Sequence, residues 1–267
     1  MGNNGKNRSF LKHRKGIKQM KITFKYLVLL TAIMALPVVM AAKRSSYREP
    51  GQLKTALPVL STSVLTNAVT AASLLFYNTG LSEKGLPFDA FMSAMKGFSK
   101  LRSKNMIGED SILTIVDFTK SSKEKRLYVV DLKNQDILFQ TLVAHGRNSG
   151  QEYARSFSNK PSSNKSSLGF YITQGTYQGS NGYSLKLMGT ETGINDMALA
   201  RAIVMHGADY ANENMISSKG FIGRSFGCPA VPTKLSRKII DLIKNGNAVF
   251  VYYPDPGYMK KSKLLNG

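Results

Sequence analysis

The chain has 267 residues, enough for one large domain or two small ones, so a sizeable hydrophobic core is available to it. With 37 Lys and Arg against 16 Asp and Glu the net charge is +21, a balance that points to an anionic partner such as a nucleic acid, a membrane surface or an acidic polymer. Nucleic acid is set aside, because beyond the first 42 residues the basic side chains are scattered and no basic block interleaved with aromatics occurs.

Residues 1–42 carry Lys6, Arg8, Lys12, Arg14, Lys15, Lys18, Lys21 and Lys25 and no acid, leaving 29 basic and 16 acidic residues, +13, for the remainder. The apolar run Tyr26 to Ala42 comes next, interrupted by Pro37 and ending in Val39-Met40-Ala41-Ala42. This pattern predicts a signal peptide cleaved near Ala41 or Ala42. The alternative is an uncleaved membrane anchor, although the run falls short of the roughly 20 apolar residues a spanning helix needs. Either way, positive charge ahead of the run predicts that the residues after it are translocated. The expected location is extracytoplasmic, in the periplasm or cell envelope, secreted or anchored to the membrane by this segment.

Residues 43–58, with Pro50, Gly51 and Pro58, read as a tether. Leu60, Val64, Leu65, Val69, Ala72 and Leu75 recur at helical spacing over 59–77, and Asn78-Thr79-Gly80 stops that helix. A second helix is predicted over 87–101, with Phe88, Phe91, Met92, Met95 and Phe98 on one face. Strands follow at 112–118 and 126–132, and a polar turn at 134–136 leads into 137–144. The Ser-, Asn-, Gly- and Lys-rich stretch 146–167 reads as a long exposed loop. Further strands are predicted at 169–174, 183–188 and 201–205, then a glycine-rich excursion over 207–227, an amphipathic helix at 234–244 and a closing strand at 248–253. The fold class is therefore α+β with β dominant. Its parts are residues 1–42, a linker and helical annex at 43–108, a catalytic domain at 109–255 and a basic tail at 256–267.

Chemistry concentrates around the only cysteine. Cys228 cannot form an intrachain disulfide, and exported proteins tend to lose a free thiol unless it is buried or used. An ordinary thiol has a pKa near 8.5, so only about 3% is thiolate at neutral pH, and a base is needed. His206, after the apolar run Ala202-Ile203-Val204-Met205 and before Gly207, is the natural one. Gly227 frees the turn, Pro229 fixes its exit, and the N–H groups of Gly227 and Cys228 are candidate oxyanion donors. Arg224 and Ser225 flank this turn. A second His-Gly pair, His145-Gly146, is followed by Arg147, and both pairs are expected to face one cleft. Arg147 and Arg224 suit a substrate carboxylate. His145 and Tyr210 are grouped with them as substrate-binding residues. One Cys and two usable His without clustered acids argue against a metal site. Neither Gly-X-Ser-X-Gly nor a P-loop occurs.

The ordered pieces Arg126–Leu132, His145-Gly146, Ser167-Leu168-Gly169-Phe170-Tyr171-Ile172, Ile203-Val204-Met205-His206-Gly207 and Ser225-Phe226-Gly227-Cys228 resemble the YkuD-type L,D-transpeptidase catalytic domain, over about residues 110–253 and including the helix before it. The resemblance implies a β-dominated YkuD-type domain with a small N-terminal helical annex. It implies Cys228 as nucleophile, His206 as base, Gly227 and Cys228 as oxyanion donors, and Ser225 as support for the turn. The implied reaction is attack on the L-centre carbonyl of a peptidoglycan tetrapeptide stem, loss of D-alanine, and transfer to a neighbouring amine, with no cofactor. The implied partners are peptidoglycan stem peptides. Many members carry histidine where this chain has Phe226, and isoleucine-arginine where it has Pro229-Ala230, so carboxylate recognition passes to Arg224 and Arg147. Two other readings stand beside it: an L,D-carboxypeptidase or hydrolase on the same scaffold, and a non-catalytic wall-binding module.

Overall fold

The computed structural model describes residues 62–108 and 111–267. The leader and tether expected over 1–58 lie outside the described residues. Within the described part, no helix is long and apolar enough to cross a membrane.

Two helices come first, α1 (Thr62–Asn78) and α2 (Phe88–Ser103). On α2 the buried positions Ala90, Phe91, Ala94, Gly97, Phe98 and Leu101 form one stripe, the 3.6-residue pattern of a helix with a single packed face. Burial of each large side chain in that stripe contributes about 1.5–3 kcal/mol. Gly97 sets how close α2 comes to the sheet: a Cβ there would fall 2.0 Å from the Phe170 ring.

Eight strands come after them: β1 (Ile112–Asp117), β2 (Leu127–Asp131), β3 (Asp136–Thr141), β4 (Gly169–Gly179), β5 (Gly182–Gly189), β6 (Val204–Ala208), β7 (Ala230–Pro232) and β8 (Ala248–Tyr252). They make one sheet in the order β3-β2-β1-β8-β4-β5-β6-β7. Only the β1–β8 and β6–β7 pairs are parallel. The last strand in sequence is thus an inner one. All five residues of β8 are buried, which explains its unbroken apolar run Ala-Val-Phe-Val-Tyr in place of an alternating one. Phe250 of β8 stacks on Phe170 of β4 with centroids 4.2 Å apart.

The two edges of this sheet meet. Beyond β3 the chain pairs with the far edge through the bridges Ala144–Ala230 and Gly146–Ser225, giving the sheet a barrel-like closure. The helix α3 (Glu213–Lys219) lies in the excursion after β6, and α4 (Thr233–Ile243) follows β7 directly. Buried Ser236, Ile239, Ile240 and Ile243 on α4 repeat at i, i+3, i+4 and i+7. Gly207 admits this helix against β6, since a Cβ would sit 2.6 Å from Ser236 Oγ.

Residues 256–267, expected as a basic tail, form α5 (Pro256–Lys261) and α6 (Lys263–Asn266). Tyr258, Leu264 and Leu265 are buried, and Glu191 accepts hydrogen bonds from the Tyr258 and Ser262 hydroxyls and from Phe170 N–H. The lysines face outward while Tyr258, Leu264 and Leu265 pack inward.

Candidate active site

The residues with chemical potential lie where the sheet closes. In the parallel register of β6 and β7, His206 stands opposite Ala230, two residues past Cys228. On the other side Ala144 N–H donates to Ala230 O at 2.8 Å, Ser225 N–H to His145 O at 2.9 Å and Arg147 N–H to Ser225 O at 2.8 Å. The turn bearing the cysteine is therefore held from both flanks by backbone. His206 lies in the middle of β6 and not at a strand end, because β6 runs 204–208 where the sequence reading ended the strand at 205.

Ser225 locks the turn. Its Oγ accepts from Gly227 N–H at 3.0 Å and donates to Cys228 O at 2.6 Å. The Gly227 N–H is thereby engaged inside the turn, so of the two backbone donors expected for an oxyanion the turn offers that of Cys228. Gly227 has φ +125°, and a Cβ on it would meet Lys165 O at 2.8 Å, so only glycine fits. Gly146 presses on it: a Cβ at 146 would fall 3.0 Å from Gly227 Cα and 2.5 Å from Asn164 O.

The Cys228 side chain is half-buried. Its Sγ accepts from Val204 N–H at 3.5 Å and donates to Ala202 O at 3.7 Å. Burial pushes the thiol up, opposed by the Val204 N–H and the Arg201 charge. His206 is 4% exposed. Burial pushes it down, and its contact with the Gly207 carbonyl opposes this. Both shifts favour the uncharged forms, thiol and imidazole. His206 Nδ1 lies 2.9 Å from Gly207 O, a partner that only accepts, so the proton sits on Nδ1 and Nε2 carries the lone pair. The thiol's hydrogen bonds go to Ala202 and Val204 and not to this ring. Tyr210 is half-buried and its ring packs where a Gly223 Cβ would be. Burial first, and then the Cys228 charge, push its phenol up to about 12.

His145 is a correction: it does not face a cleft. It is 0% exposed, its Nδ1 lies 2.7 Å from Arg126 Nη2 and its Nε2 3.3 Å from Gly150 O, and its ring meets Phe118 edge-on. Burial, then the Arg126 charge, lower it to about 3. Arg126 is itself fully buried, donating to Val143 O and Lys120 O and lying over the Phe118 ring at 4.9 Å. Burial lowers it to about 9, which leaves it charged at neutral pH. This pair is an internal strut for the segment that closes the sheet.

Arg147 and Arg224 do come together. With Lys219, Phe221 and Phe226 they line a recess of about 370 Å³ beside the turn. Arg147 lies over the face of Phe226, 4.7 Å from its centroid, and Phe226 is 66% exposed. Arg224 Nη1 donates to Arg147 O and Gly150 O, each at 3.2 Å. Three cations converge there with no acidic side chain in the lining. Arg201, which no motif marks in the sequence, packs against the same turn, its Nη2 3.3 Å from where a Cβ on Gly227 would be. Among the described residues no group of three or more His, Cys, Asp and Glu comes together as a metal site.

The L,D-transpeptidase catalytic domain family model matches residues 82–252, a span that takes in α2 with the sheet. No curated protein matches the chain. Among solved structures, similarity is found to an L,D-transpeptidase from Mycobacterium smegmatis, at 12% identity and TM-score 0.34, covering 54% of this chain and 59% of that one. It extends to the helical cell shape determining protein Pgp2 of Campylobacter jejuni, at 15% identity and TM-score 0.36, covering 62% and 56%. An L,D-transpeptidase from Stackebrandtia nassauensis matches at 16% identity and TM-score 0.32, covering 70% and 78%. The chain thus spans a little under three fifths of the length of the first two. The family match covers well over half of the chain, and the protein belongs to the L,D-transpeptidase catalytic domain family.

Proposed function

We propose that this chain is an exported L,D-transpeptidase that remodels peptidoglycan, carrying the acyl group of a stem peptide as a thioester on Cys228. The observation that carries the reading is the one thiol on a Ser225-locked turn two residues before Ala230, which pairs in parallel register with His206, whose Nδ1–H faces the Gly207 carbonyl.

In the proposed reaction His206 Nε2 takes the Sγ proton as sulfur attacks the stem carbonyl carbon. The Cys228 N–H donates to the oxyanion that forms. When the intermediate collapses the C–N bond breaks, and the imidazolium returns the proton to the departing amine of D-alanine. A second amine then attacks the thioester, gives its proton to His206, and expels the cysteine sulfur, which is reprotonated. The reaction needs no cofactor. Reaching this path requires the thiol to leave Ala202 O for the imidazole; catalytic hydrogen bonds often form only in the substrate complex. Arg147 and Arg224, in the recess beside the turn, are assigned to a substrate carboxylate, for which the guanidinium fork is well shaped.

The test is intact-protein mass spectrometry of the purified chain incubated with disaccharide tetrapeptide, beside Cys228→Ala. A mass gain of the stem minus D-alanine in the parent alone supports the reading, and dimeric stem products distinguish transfer from hydrolysis. A folded parent that forms no adduct and no product refutes it.

A further inference from the structure

Arg201 stands immediately before the segment that grips the nucleophile. Its Nη1 donates to Ser158 O at 2.8 Å and Ser167 Oγ at 2.6 Å, and its Nη2 to Lys165 O at 2.7 Å and Ser163 Oγ at 3.3 Å. All four acceptors are neutral and belong to the long loop between β3 and β4 or its junction with β4. No carboxylate pairs with this guanidinium among the described residues, so its positive charge is held in place without being cancelled. On the other side, Nη2 lies 3.3 Å from where a Cβ on Gly227 would be. Ala202 O and Val204 N–H, one and three residues further on, are the two groups that touch Cys228 Sγ.

Ala202 itself has φ +53°, a left-handed conformation that is unfavourable for alanine and persists only where the surroundings impose it. The Arg201 anchors and the Ala202 turn together aim this carbonyl at the sulfur. Five titratable groups bear on the site. Arg201 comes from the segment before β6, His206 from β6, Tyr210 from the loop after it and Tyr171 from β4; Lys165, from the long loop, is engaged with Ser156 Oγ at 2.7 Å. His206 is neutral at rest. Tyr171 is buried, donates to Ser167 O, and is pushed up by that burial. Arg201 is the cation whose guanidinium packs against the Gly227–Cys228 turn, and its charge opposes the upward push of burial on the thiol.

We propose that Arg201 is a positioning residue for acyl transfer: held by four neutral acceptors against the Gly227–Cys228 turn, its guanidinium stabilises the developing Cys228 thiolate and ties the long loop to the nucleophile. The transfer role rests on the function proposed above, whereas the coupling between Arg201 and the thiol can be read without any stem peptide.

The experiment measures the rate of Cys228 alkylation by iodoacetamide against pH in the full chain, for the parent, Arg201→Gln and Arg201→Lys, with circular dichroism to establish folding. Loss of the charge in Arg201→Gln is expected to move the midpoint up by about one pH unit, making alkylation at pH 7 roughly tenfold slower. Arg201→Lys keeps a charge and loses the fork. Its midpoint is expected to stay near the parent's while cleavage of the 146–167 loop by trypsin accelerates. An unchanged midpoint in folded Arg201→Gln overturns the proposal. If Arg201→Gln does not fold, Arg201→Lys decides: a midpoint near the parent's supports the role of charge, and a rise of one unit or more overturns it. A shifted midpoint in Arg201→Gln together with a parent that forms no stem adduct removes the transfer reading and leaves the coupling standing.

Discussion

The Ser225 hydroxyl donates to the Cys228 carbonyl oxygen at 2.6 Å while accepting from Gly227 N–H at 3.0 Å. One side chain thereby closes a ring of hydrogen bonds across the turn that presents Cys228. Ser225→Ala leaves a buried N–H and a carbonyl without their partner, a loss that typically costs about 1–3 kcal/mol. A lower thermal midpoint and slower acyl-enzyme formation are expected, with Ser225→Thr recovering most of both. An alanine variant as stable as the parent would show that the turn is held by its flanks alone.

Gly227 has φ +125° with Lys165 O in the path of any Cβ. Gly227→Ala therefore combines a strained backbone, of order 1–3 kcal/mol, with displacement of the loop carbonyl. Unfolding in urea should show the stability loss. In the folded fraction, alkylation of Cys228 should lose its single-exponential course as the turn adopts more than one arrangement.

His206 carries the lone pair on Nε2 and is held below its ordinary pKa by burial. It stays neutral, and so competent as a base, at pH values somewhat under 6.5. The acid limb of acyl-enzyme formation against pH is therefore expected below 6.5 and not above it. His206→Ala should slow formation by about 10²- to 10⁴-fold and abolish that limb. A limb that persists in the variant would assign it to another group.

His145 is neutral in the fold down to about pH 3 and titrates near 6.5 when unfolded. Between those values the unfolded chain binds the extra proton, so stability is full above 6.5 and is lost as the pH falls toward 3. The slope contributed by this one group is up to about 1.4 kcal/mol per pH unit, with His206 adding to it just below 6.5. Urea unfolding at pH 4, 5, 6 and 7 reads this, and His145→Asn should flatten the slope although the variant is less stable at pH 7.

Leu265 is buried at the far end of the chain. Leu265→Ala is expected to cost about 2–5 kcal/mol, as for other large-to-small changes in a packed interior. A change within experimental error would mean that 256–267 is the dispensable tail that its lysines suggest.

What could be read in advance was local. The helical spacing of Phe91, Met95 and Phe98 is visible along the chain because a 3.6-residue period reports one packed face, and β1, β2 and β8 show as short unbroken apolar runs because they are buried on both faces. Cys228 and His206 stand out along the chain, since a lone thiol on a glycine turn and a histidine after an apolar run are unusual in themselves. The helices α5 and α6 were hidden by charge: Lys260, Lys261 and Lys263 dominate the composition, while Tyr258, Leu264 and Leu265 are the large side chains buried there. With three residues and Pro232, β7 is too short to show a period of its own.

The amino-acid sequence by itself determined the β-dominated class and the ordered motif of the family. Tertiary structure alone decided which His-Gly pair pairs with the strand after Cys228. Both pairs look alike in the chain, yet His145 is buried against Arg126, 19 residues away, while His206 lies in register with the strand after Cys228. It also placed Arg201 behind the Gly227–Cys228 turn and brought Arg147 to Arg224 across 77 residues. Those relationships arise when the sheet's two edges meet, and closure between distant segments leaves no periodic trace in a sequence.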